Sequence, residues 1–241
     1  MPIHLRPTAS LAPRVLLPDD PGRALLLAQT LLEAPTMFNH NRGLWGYTGI
    51  AADGHPMTIQ STGMGGPSAA IVIAELADLG AEQLLRVGTC GALDPRLALG
   101  DLLLVTEALS HDGTSRALDA SRPLLADPEL TDALRRAAAE GTLVGPVVST
   151  DLFYDNPHGA EQQWRDAGAA AVEMETATLF AMAARRGLQA ASLLMVTDVL
   201  HPDRVRISDD ALRAGEARLG EVAAAALALE PVKPDARPAD R

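Results

Sequence analysis

The alternation of two kinds of apolar segment constrains the fold of this chain more than any other feature. Short runs rich in valine, leucine and isoleucine alternate with longer alanine- and leucine-rich segments of helical spacing, which is typical of an α/β fold. The predicted strands are 14–17, 47–51, 57–61, 83–87, 102–108, 143–148, 170–173 and 192–197. The predicted helices are 21–32, 67–79, 128–139, 161–167, 175–186 and 209–229. Most strands are apolar throughout, which indicates a sheet covered on both faces.

The domain organisation follows from length and from the absence of internal boundaries. The 241 residues contain no repeat of fixed period and no low-complexity linker, and α/β domains of roughly 200–250 residues are common. We therefore predict one domain over residues 1–230. Residues 231–241 are proline-rich and charged without apolar periodicity, so we predict a disordered tail there.

Charge and cysteine content exclude several functional classes. A formal net charge of −11 argues against binding nucleic acid or an anionic membrane, because a polyanion requires a positive surface. The lone Cys90 excludes an intramolecular disulfide and a cysteine-rich metal site. The N-terminus lacks the pattern of a signal peptide, and no run approaches the roughly 20 apolar residues of a membrane span. These features predict a cytoplasmic protein without a membrane partner.

A glycine-rich turn at residues 62–68, Thr-Gly-Met-Gly-Gly-Pro-Ser, joins a predicted strand to a predicted helix. Glycines allow close approach of the backbone to a ligand, and the N–H groups of a helix N-terminus favour an anion. Such turns also serve tight packing alone, and the spacing matches neither the dinucleotide nor the Walker fingerprint. By itself the turn leaves both interpretations open.

Residues 86–92, Arg-Val-Gly-Thr-Cys-Gly-Ala, follow another apolar strand. A guanidinium, a hydroxyl and unhindered backbone N–H groups would meet at the strand end, where open α/β sheets bind ligands. A guanidinium can donate two parallel hydrogen bonds to an oxyanion, so Arg86 and Thr89 fit a phosphate. The alternative is a surface arginine beside a turn.

Carboxyl groups end two further strands. Glu173 and Glu175 close the segment 170–175, where a carboxylate could accept hydrogen bonds from two neighbouring hydroxyls such as a ribose diol. Asp198 follows the strand 192–197, where it could protonate a leaving group. Structural alternatives remain: Glu175 as a charge in the first turn of a helix, and Asp198 as a cap.

Together these segments resemble the nucleoside phosphorylases, the family of the hexameric bacterial purine nucleoside phosphorylases and the uridine phosphorylases. The resemblance runs from about His4 to Leu229. It implies a single-domain, three-layer α/β/α sandwich with a central mixed β-sheet of the phosphorylase/hydrolase-like type. Its motifs are 41–43 with 47–49, 63–68, 86–91, 151–154, 172–175 and 197–198.

The resemblance also implies the roles of individual residues. Arg23 and Arg86, with Arg42 of a neighbouring subunit and the Thr89 hydroxyl, would hold phosphate. The predicted nucleoside contacts, apart from the acid, are His4 of a neighbour, Met64, Phe153, Glu173, Met174 and Glu175. Phe153 matches the aromatic that stacks on the base in this family. Asp198 would protonate N7 of a departing purine.

The implied reaction is reversible phosphorolysis of the N-glycosidic bond, with phosphate as a co-substrate and without a metal or organic cofactor. An anion on one face of an oxocarbenium-like ribose and an acid at the base favour such a transition state. Because a neighbour completes the site, the resemblance implies a homo-oligomer, at least a dimer and commonly a hexamer in this family.

The base preference depends on residues 153–163. Uridine phosphorylases usually carry a Gln-x-Arg element after the Phe-Tyr pair, and this chain lacks that element. They also lack the acid that Asp198 supplies. A purine nucleoside is therefore favoured, with uridine as the alternative.

The chain departs from the family pattern at Asp19, which stands where a glycine usually touches phosphate. A carboxylate there would repel an anion unless it points outward. Residues 199–213 are irregular, and Arg213 is the candidate for a further arginine that the family carries on a helix. The roles of Arg204, Arg206 and Arg213 stay open.

Two other functions stay open. A nucleosidase on the same fold would use water instead of phosphate, although such enzymes generally lack the arginine set. A non-catalytic nucleoside-binding protein would retain the fold and bind without turnover, which the change at Asp19 makes conceivable.

Overall fold

The computed structural model describes residues 2–119, 124–201 and 203–229. The predicted tail at 231–241 lies outside these residues, so the domain boundaries stay a prediction. The strands are β1 (Arg14–Leu17), β2 (Leu32–Asn39), β3 (Gly46–Ala51), β4 (Pro56–Gln60), β5 (Gln83–Ala92), β6 (Leu102–His111), β7 (Leu124–Leu125), β8 (Leu143–Thr150), β9 (Ala171–Glu173), β10 (Gln189–Val199) and β11 (Val205–Arg206). The α-helices are α1 (Pro21–Leu31), α2 (Gly66–Leu79), α3 (Gly113–Asp119), α4 (Pro128–Ala137), α5 (Ala160–Asp166), α6 (Thr176–Arg186) and α7 (Asp209–Leu229), and a 3₁₀ turn spans Asn41–Gly43.

The strands form one mixed sheet in which part of the structure closes on itself. From one edge the order is β11-β10-β6-β8-β9-β5-β1-β4-β3-β2, with β7 beside β6. A further parallel pairing of β10 with β5 joins β5, β10, β6, β8 and β9 into a ring. The remaining strands extend from β5 as an open sheet through β1 and β4.

Helices cover both faces of the sheet. Successive strand residues point to opposite faces, so Leu84 packs with α2 and α6, whereas Leu85 packs with α1, α4 and α7. A smaller cluster around Trp164 packs α5 near β8. The three-layer α/β/α arrangement with a mixed central sheet is thus confirmed, and the closed ring is an addition that the alternation of segments did not reveal.

Capping residues explain several helix starts. Asp20 accepts a hydrogen bond from Arg23 N at 2.7 Å at the start of α1, and Asp127 accepts one from Leu130 N at 2.9 Å at the start of α4. In both helices proline occupies the first turn, where its missing N–H removes no helical bond.

Four elements were not predicted: β2, α3, β7 and β11. β2 includes Pro35 and is exposed over most of its length, because it lies at the sheet edge, where proline is tolerated. β5 continues five residues past the predicted end at Val87, since β10 pairs with it as far as Ala92 despite the glycines. Among the described helices, none has both the length and the apolar composition needed to cross a bilayer.

Candidate active site

Arg86 lies within β5 beside the carboxyl end of β1, and β5 and β10 end several residues farther along. In the register of the sheet, Arg86 of β5 lies beside Leu17 at the end of β1 and beside Ser192 of β10. Farther along β5, Gly91 is paired with Asp198 of β10 and with Val172 of β9. The sheet therefore brings together the strand ends that carry the predicted phosphate, ribose and base contacts.

Arg86 is a buried cation held by two carboxylates. Its Nε lies 3.1 Å from Glu173 Oε2, and its Nη2 lies 2.6 Å from Glu175 Oε2. Burial alone would lower the pKa of Arg86, but attraction to Glu175, Glu173 and Asp19 outweighs burial and raises it. Nη1 is buried and has no hydrogen-bond partner among the described residues, so it is a donor available to a ligand.

The absence of a side chain at Gly88 leaves the space that the Arg86 guanidinium occupies. A Cβ at position 88 would lie 2.6 Å from Arg86 Cζ and 2.6 Å from Nη2, closer than real Cβ atoms approach other heavy atoms. The guanidinium thus lies against the bare backbone of its own strand. Thr89 follows at the next position and is half-buried.

Glu173 is surrounded by protein donors. Oε2 accepts hydrogen bonds from Glu175 N at 2.9 Å and from Arg86, and Oε1 accepts from Thr176 N at 3.0 Å and from the Ser149 hydroxyl. Its side chain is fully buried. This placement favours a role in fixing Arg86 and the start of α6 over direct contact with a nucleoside.

Glu175 joins the glycine-rich turn to Arg86. Its Oε1 accepts a hydrogen bond from Gly65 N, and Oε2 pairs with Arg86. Gly65 has φ +86°, a left-handed conformation that glycine adopts without strain and that turns its N–H toward the carboxylate. Burial raises the pKa of Glu175 to about 7, with repulsion from Asp19 and Glu173 adding to burial and attraction to Arg86 opposing it.

The two predicted methionines flank this carboxylate along the chain. Met64 precedes Gly65 and is 80% exposed, whereas Met174 precedes Glu175 and is half-buried. An exposed methionine beside a buried carboxylate offers an apolar surface next to a hydrogen-bond acceptor. That combination suits one face of a sugar.

Arg23 is also buried between two acids. Its Nη1 pairs with Asp19 Oδ1, and its Nε lies 2.9 Å from Glu216 Oε1 of α7. Nη1 also approaches Val87 O at 3.4 Å, which places the Arg23 guanidinium against the strand that carries Arg86. The Asp19 side chain therefore points toward the Arg23 guanidinium and not outward to solvent, so its negative charge lies beside the predicted phosphate site.

Asp198 lies within β10 rather than after it and is paired with Arg204, whose role the sequence left open. Asp198 Oδ1 lies 2.9 Å from Arg204 Nε, and Oδ2 accepts a hydrogen bond from Thr197 Oγ1 at 3.0 Å. The guanidinium carbon of Arg204 lies 4.7 Å from the centre of the half-exposed Phe153 ring. Arg204 therefore joins the predicted acid to the predicted base-stacking aromatic.

The other candidate arginines differ in their relation to Asp198. Arg206 Nη1 lies 3.9 Å from Asp198 Oδ2, across the antiparallel pairing of β10 with β11. Arg213 lies exposed on α7, whereas Arg204 and Arg206 contact Asp198. The structure therefore offers these two residues, and not Arg213, as partners of the acid.

His4 lies against the 3₁₀ turn that contains Arg42. His4 Nδ1 lies 2.9 Å from Glu75 Oε1, and the side-chain amide of Asn41 donates to His4 O at 2.7 Å. Arg42, next to Asn41, is exposed and has φ +59°. Among the described residues, no hydrogen bond or ion pair joins His4 or Arg42 to Arg86 or Glu175.

Glu75 anchors the N-terminal segment that carries His4. Its carboxylate accepts hydrogen bonds from the backbone N–H groups of Ile3, His4 and Leu5. Burial alone would raise the pKa of Glu75, but these donors outweigh burial and lower it to about 2. With Nδ1 held by Glu75, Nε2 is the ring nitrogen of His4 that a substrate would meet.

The sequence does not predict Ser149 or Glu216 and leaves the role of Arg204 open. Each acts through a contact between segments distant in sequence or through an irregular loop, so no local pattern marks it. In the described part of the chain, no group of three or more histidine, cysteine, aspartate or glutamate side chains could hold a metal ion.

The chain is similar to one family over most of its length. The family model described as the phosphorylase superfamily matches residues 13–228. A DeoD-type purine nucleoside phosphorylase of Geobacillus kaustophilus is 38% identical over 205 residues, covering 82% of this chain and 86% of that protein. Guanosine phosphorylase of Halorubrum lacusprofundi is 39% identical over 185 residues, covering 75% and 76%. Uridine phosphorylase of Vibrio fischeri has the same fold, with a TM-score of 0.83 at 28% identity over 91% of this chain and 93% of that one.

Proposed function

Because the chain belongs to the phosphorylase superfamily, we propose that it catalyses the reversible phosphorolysis of a purine nucleoside to the free base and ribose 1-phosphate. The observation that carries this proposal is the buried Nη1 of Arg86. It has no hydrogen-bond partner among the described residues and lies beside a carboxylate suited to ribose. An anionic nucleophile and a sugar can meet between these two groups.

In the proposed reaction, a phosphate oxygen attacks C1′ of the ribose while the bond from C1′ to the base breaks. Arg86 and Arg23, with Thr89 and a neighbour's Arg42, orient the phosphate. The electron pair of the broken bond leaves with the base, and a proton from Asp198 to N7 neutralises it. Preorganised cations near the attacking anion and an acid at the leaving group lower the barrier in this way.

Glu175 is proposed to hold the ribose. Its ionised carboxyl accepts hydrogen bonds at both oxygens, whereas the protonated form carries a donor on one of them, so the ionised form suits two neighbouring hydroxyls. Met64 and Met174 would pack against the sugar, and Glu173 would keep Arg86 and the backbone of Glu175 in position. His4 of a neighbouring subunit would reach the 5′-hydroxyl.

The base would lie against Phe153 near Asp198. Arg204 lies between these residues in the free chain, and its side chain is 43% exposed, so an entering base can replace it. Purine preference is supported by the acid at this position and by the similarity to a purine nucleoside phosphorylase and a guanosine phosphorylase. Uridine remains the alternative, and the Vibrio fischeri structure is the observation that favours it.

The assembly and the cellular setting are part of the proposal. We infer a homo-oligomer, at least a dimer and, as is common in this family, a hexamer. His4 contacts Asn41, which precedes Arg42, so one surface of the chain carries both residues proposed to complete a neighbour's site. A cytoplasmic role in nucleoside salvage is consistent with the lone cysteine and the nucleoside substrate. No cofactor is invoked beyond phosphate as co-substrate.

A panel of nucleosides in phosphate buffer tests the base preference. Release of free base is measured for inosine, guanosine, adenosine, methylthioadenosine and uridine at equal concentration. We expect kcat/KM for at least one purine nucleoside to exceed that for uridine by tenfold or more. Equal or faster cleavage of uridine would replace the purine assignment with the uridine alternative.

A further inference from the structure

We propose that Asp19 is a resident counter-anion of the phosphate site, so that its carboxylate weakens phosphate binding and sets the phosphate concentration at which the enzyme works. The proposal deepens the function above and depends on it. It assigns to one side chain of this chain control over affinity for an inorganic oxyanion.

The backbone at the start of α1 separates the tasks of two adjacent aspartates. Asp20 is exposed and caps the helix by accepting a hydrogen bond from Arg23 N. Asp19 has no part in that cap; its side chain is only 17% exposed and its Oδ1 pairs with Arg23 Nη1. The carboxylate of Asp19 therefore occupies a donor that phosphate would otherwise use.

The two arginines of the site are not equally available. Arg86 presents a buried Nη1 without a hydrogen-bond partner in the described residues. Arg23 instead has acids at two of its nitrogens, Asp19 at Nη1 and Glu216 at Nε. Phosphate can thus bind Arg86 Nη1 directly, but at Arg23 Nη1 it must compete with the Asp19 carboxylate.

The charge balance opposes an entering anion. The guanidinium groups of Arg23 and Arg86 face four carboxyls. One lies between β1 and α1, and the others come from β9, from the start of α6 and from α7. The acids are Asp19, Glu173, Glu175 and Glu216. Within one chain, three carboxylates remain against two cations even with Glu175 protonated, so Arg42 of a neighbour would only balance the site. Like charges in a poorly solvated site repel strongly, and the Asp19 carboxylate therefore opposes an entering anion.

Asp19 stays ionised at neutral pH, so a proton does not relieve this repulsion. Burial alone would raise the pKa of Asp19, but attraction to Arg23 and Arg86 outweighs burial and lowers it. Of the carboxyls around the two arginines, Asp19 is also the one placed directly after β1, where the backbone turns toward α1. Removing its charge should leave Glu216 as a partner of Arg23.

The test compares Asp19→Asn with Asp20→Asn. Both substitutions remove one negative charge from adjacent positions, but asparagine at 20 retains the capping acceptor and lies outside the site. Phosphate affinity is measured by titration calorimetry without nucleoside, and KM for phosphate at saturating inosine. We expect Asp19→Asn to lower both Kd and KM for phosphate at least tenfold while its KM for inosine changes less than twofold. In Asp20→Asn, all three constants should change less than twofold.

A purely structural role for Asp19 predicts the opposite result. If the carboxylate only holds Arg23 in place, Asp19→Asn will weaken phosphate binding or leave it unchanged, and either outcome overturns the proposal. If the asparagine variant folds poorly, Asp19→Gly, which also removes the carboxylate, is measured in the same way with the same expectation. Failure of the proposed function is a separate outcome: the wild type would then release base at the same rate with and without phosphate.

Discussion

The charge of Glu175 connects the stability of the fold to the chemistry of the site. A carboxyl with a usual pKa of 4.5 is held at about 7 by burial, so the folded state favours its protonated form. Its contribution to stability is complete below pH 4.5 and is lost as the pH rises through about 7. The ionised form that the proposed ribose contact requires is therefore maintained at the expense of stability.

Replacing Glu175 with glutamine should remove this pH dependence. Between pH 5 and pH 8 we expect the free energy of unfolding of the wild type to fall relative to that of Glu175→Gln by on the order of 1–3 kcal/mol. Denaturant unfolding of both proteins at several pH values measures the difference. A constant difference across this range would show that Glu175 keeps an ordinary pKa.

Asp198 is tested by a substitution that preserves its shape. Asparagine retains the oxygen that faces Thr197 or Arg204 but supplies no acidic proton. We expect Asp198→Asn to lower kcat for inosine by roughly 10²–10⁴, the usual contribution of a general acid. Steady-state kinetics at saturating phosphate provide the measurement, and an unchanged kcat would rule out the proposed acid.

At the scale of elements, the alternating apolar runs and the helix caps predicted most of the sheet and six of the helices. They did not predict β2 or β11, because an edge strand and a two-residue strand have little apolar periodicity. The site residues likewise divide into those that the sequence predicted and those that it did not. Arg86, Glu175 and Asp198 stand at ends of predicted strands, whereas Arg204 and Glu216 become partners only through the pairing of loops and helices distant in sequence.

Strand β5 offers a test at this scale, because Gly88 makes room for the Arg86 guanidinium. In Gly88→Ala, the new Cβ would meet Cζ at 2.6 Å and displace Nη1 from its place. We expect KM for phosphate to rise at least tenfold, by analogy with other losses of a charged hydrogen bond. Steady-state kinetics with phosphate varied at saturating inosine measure this KM.

Gly145→Ala is the matched control, since a Cβ in β8 would lie an ordinary 3.5 Å from Ala170 Cβ. We expect its KM for phosphate to stay within twofold of the wild type. If Gly88→Ala also left KM for phosphate unchanged, the position of Arg86 against the bare strand would carry no functional weight.

For the whole molecule, the proposed exchange of His4 and Arg42 between subunits makes activity a property of the assembly. Co-expression of Arg42→Ala with Asp198→Asn tests this exchange. Each variant alone should be nearly inactive toward inosine, but a mixed pair contains one site in which all residues are intact. Random pairing of equal amounts in two-fold symmetric dimers should restore about one quarter of wild-type activity. Activity no higher than the average of the separate variants would show that Arg42 serves its own subunit.

The central claim, that phosphate and not water attacks the ribose, is tested most directly by identifying the sugar product. Purified enzyme is incubated with the best purine nucleoside, with and without phosphate, and the products are resolved by ³¹P and ¹H NMR. We predict ribose 1-phosphate in amounts equal to the free base, and negligible base release when phosphate is omitted. Free ribose, formed at the same rate in both reactions, would contradict the account and make the chain a nucleosidase.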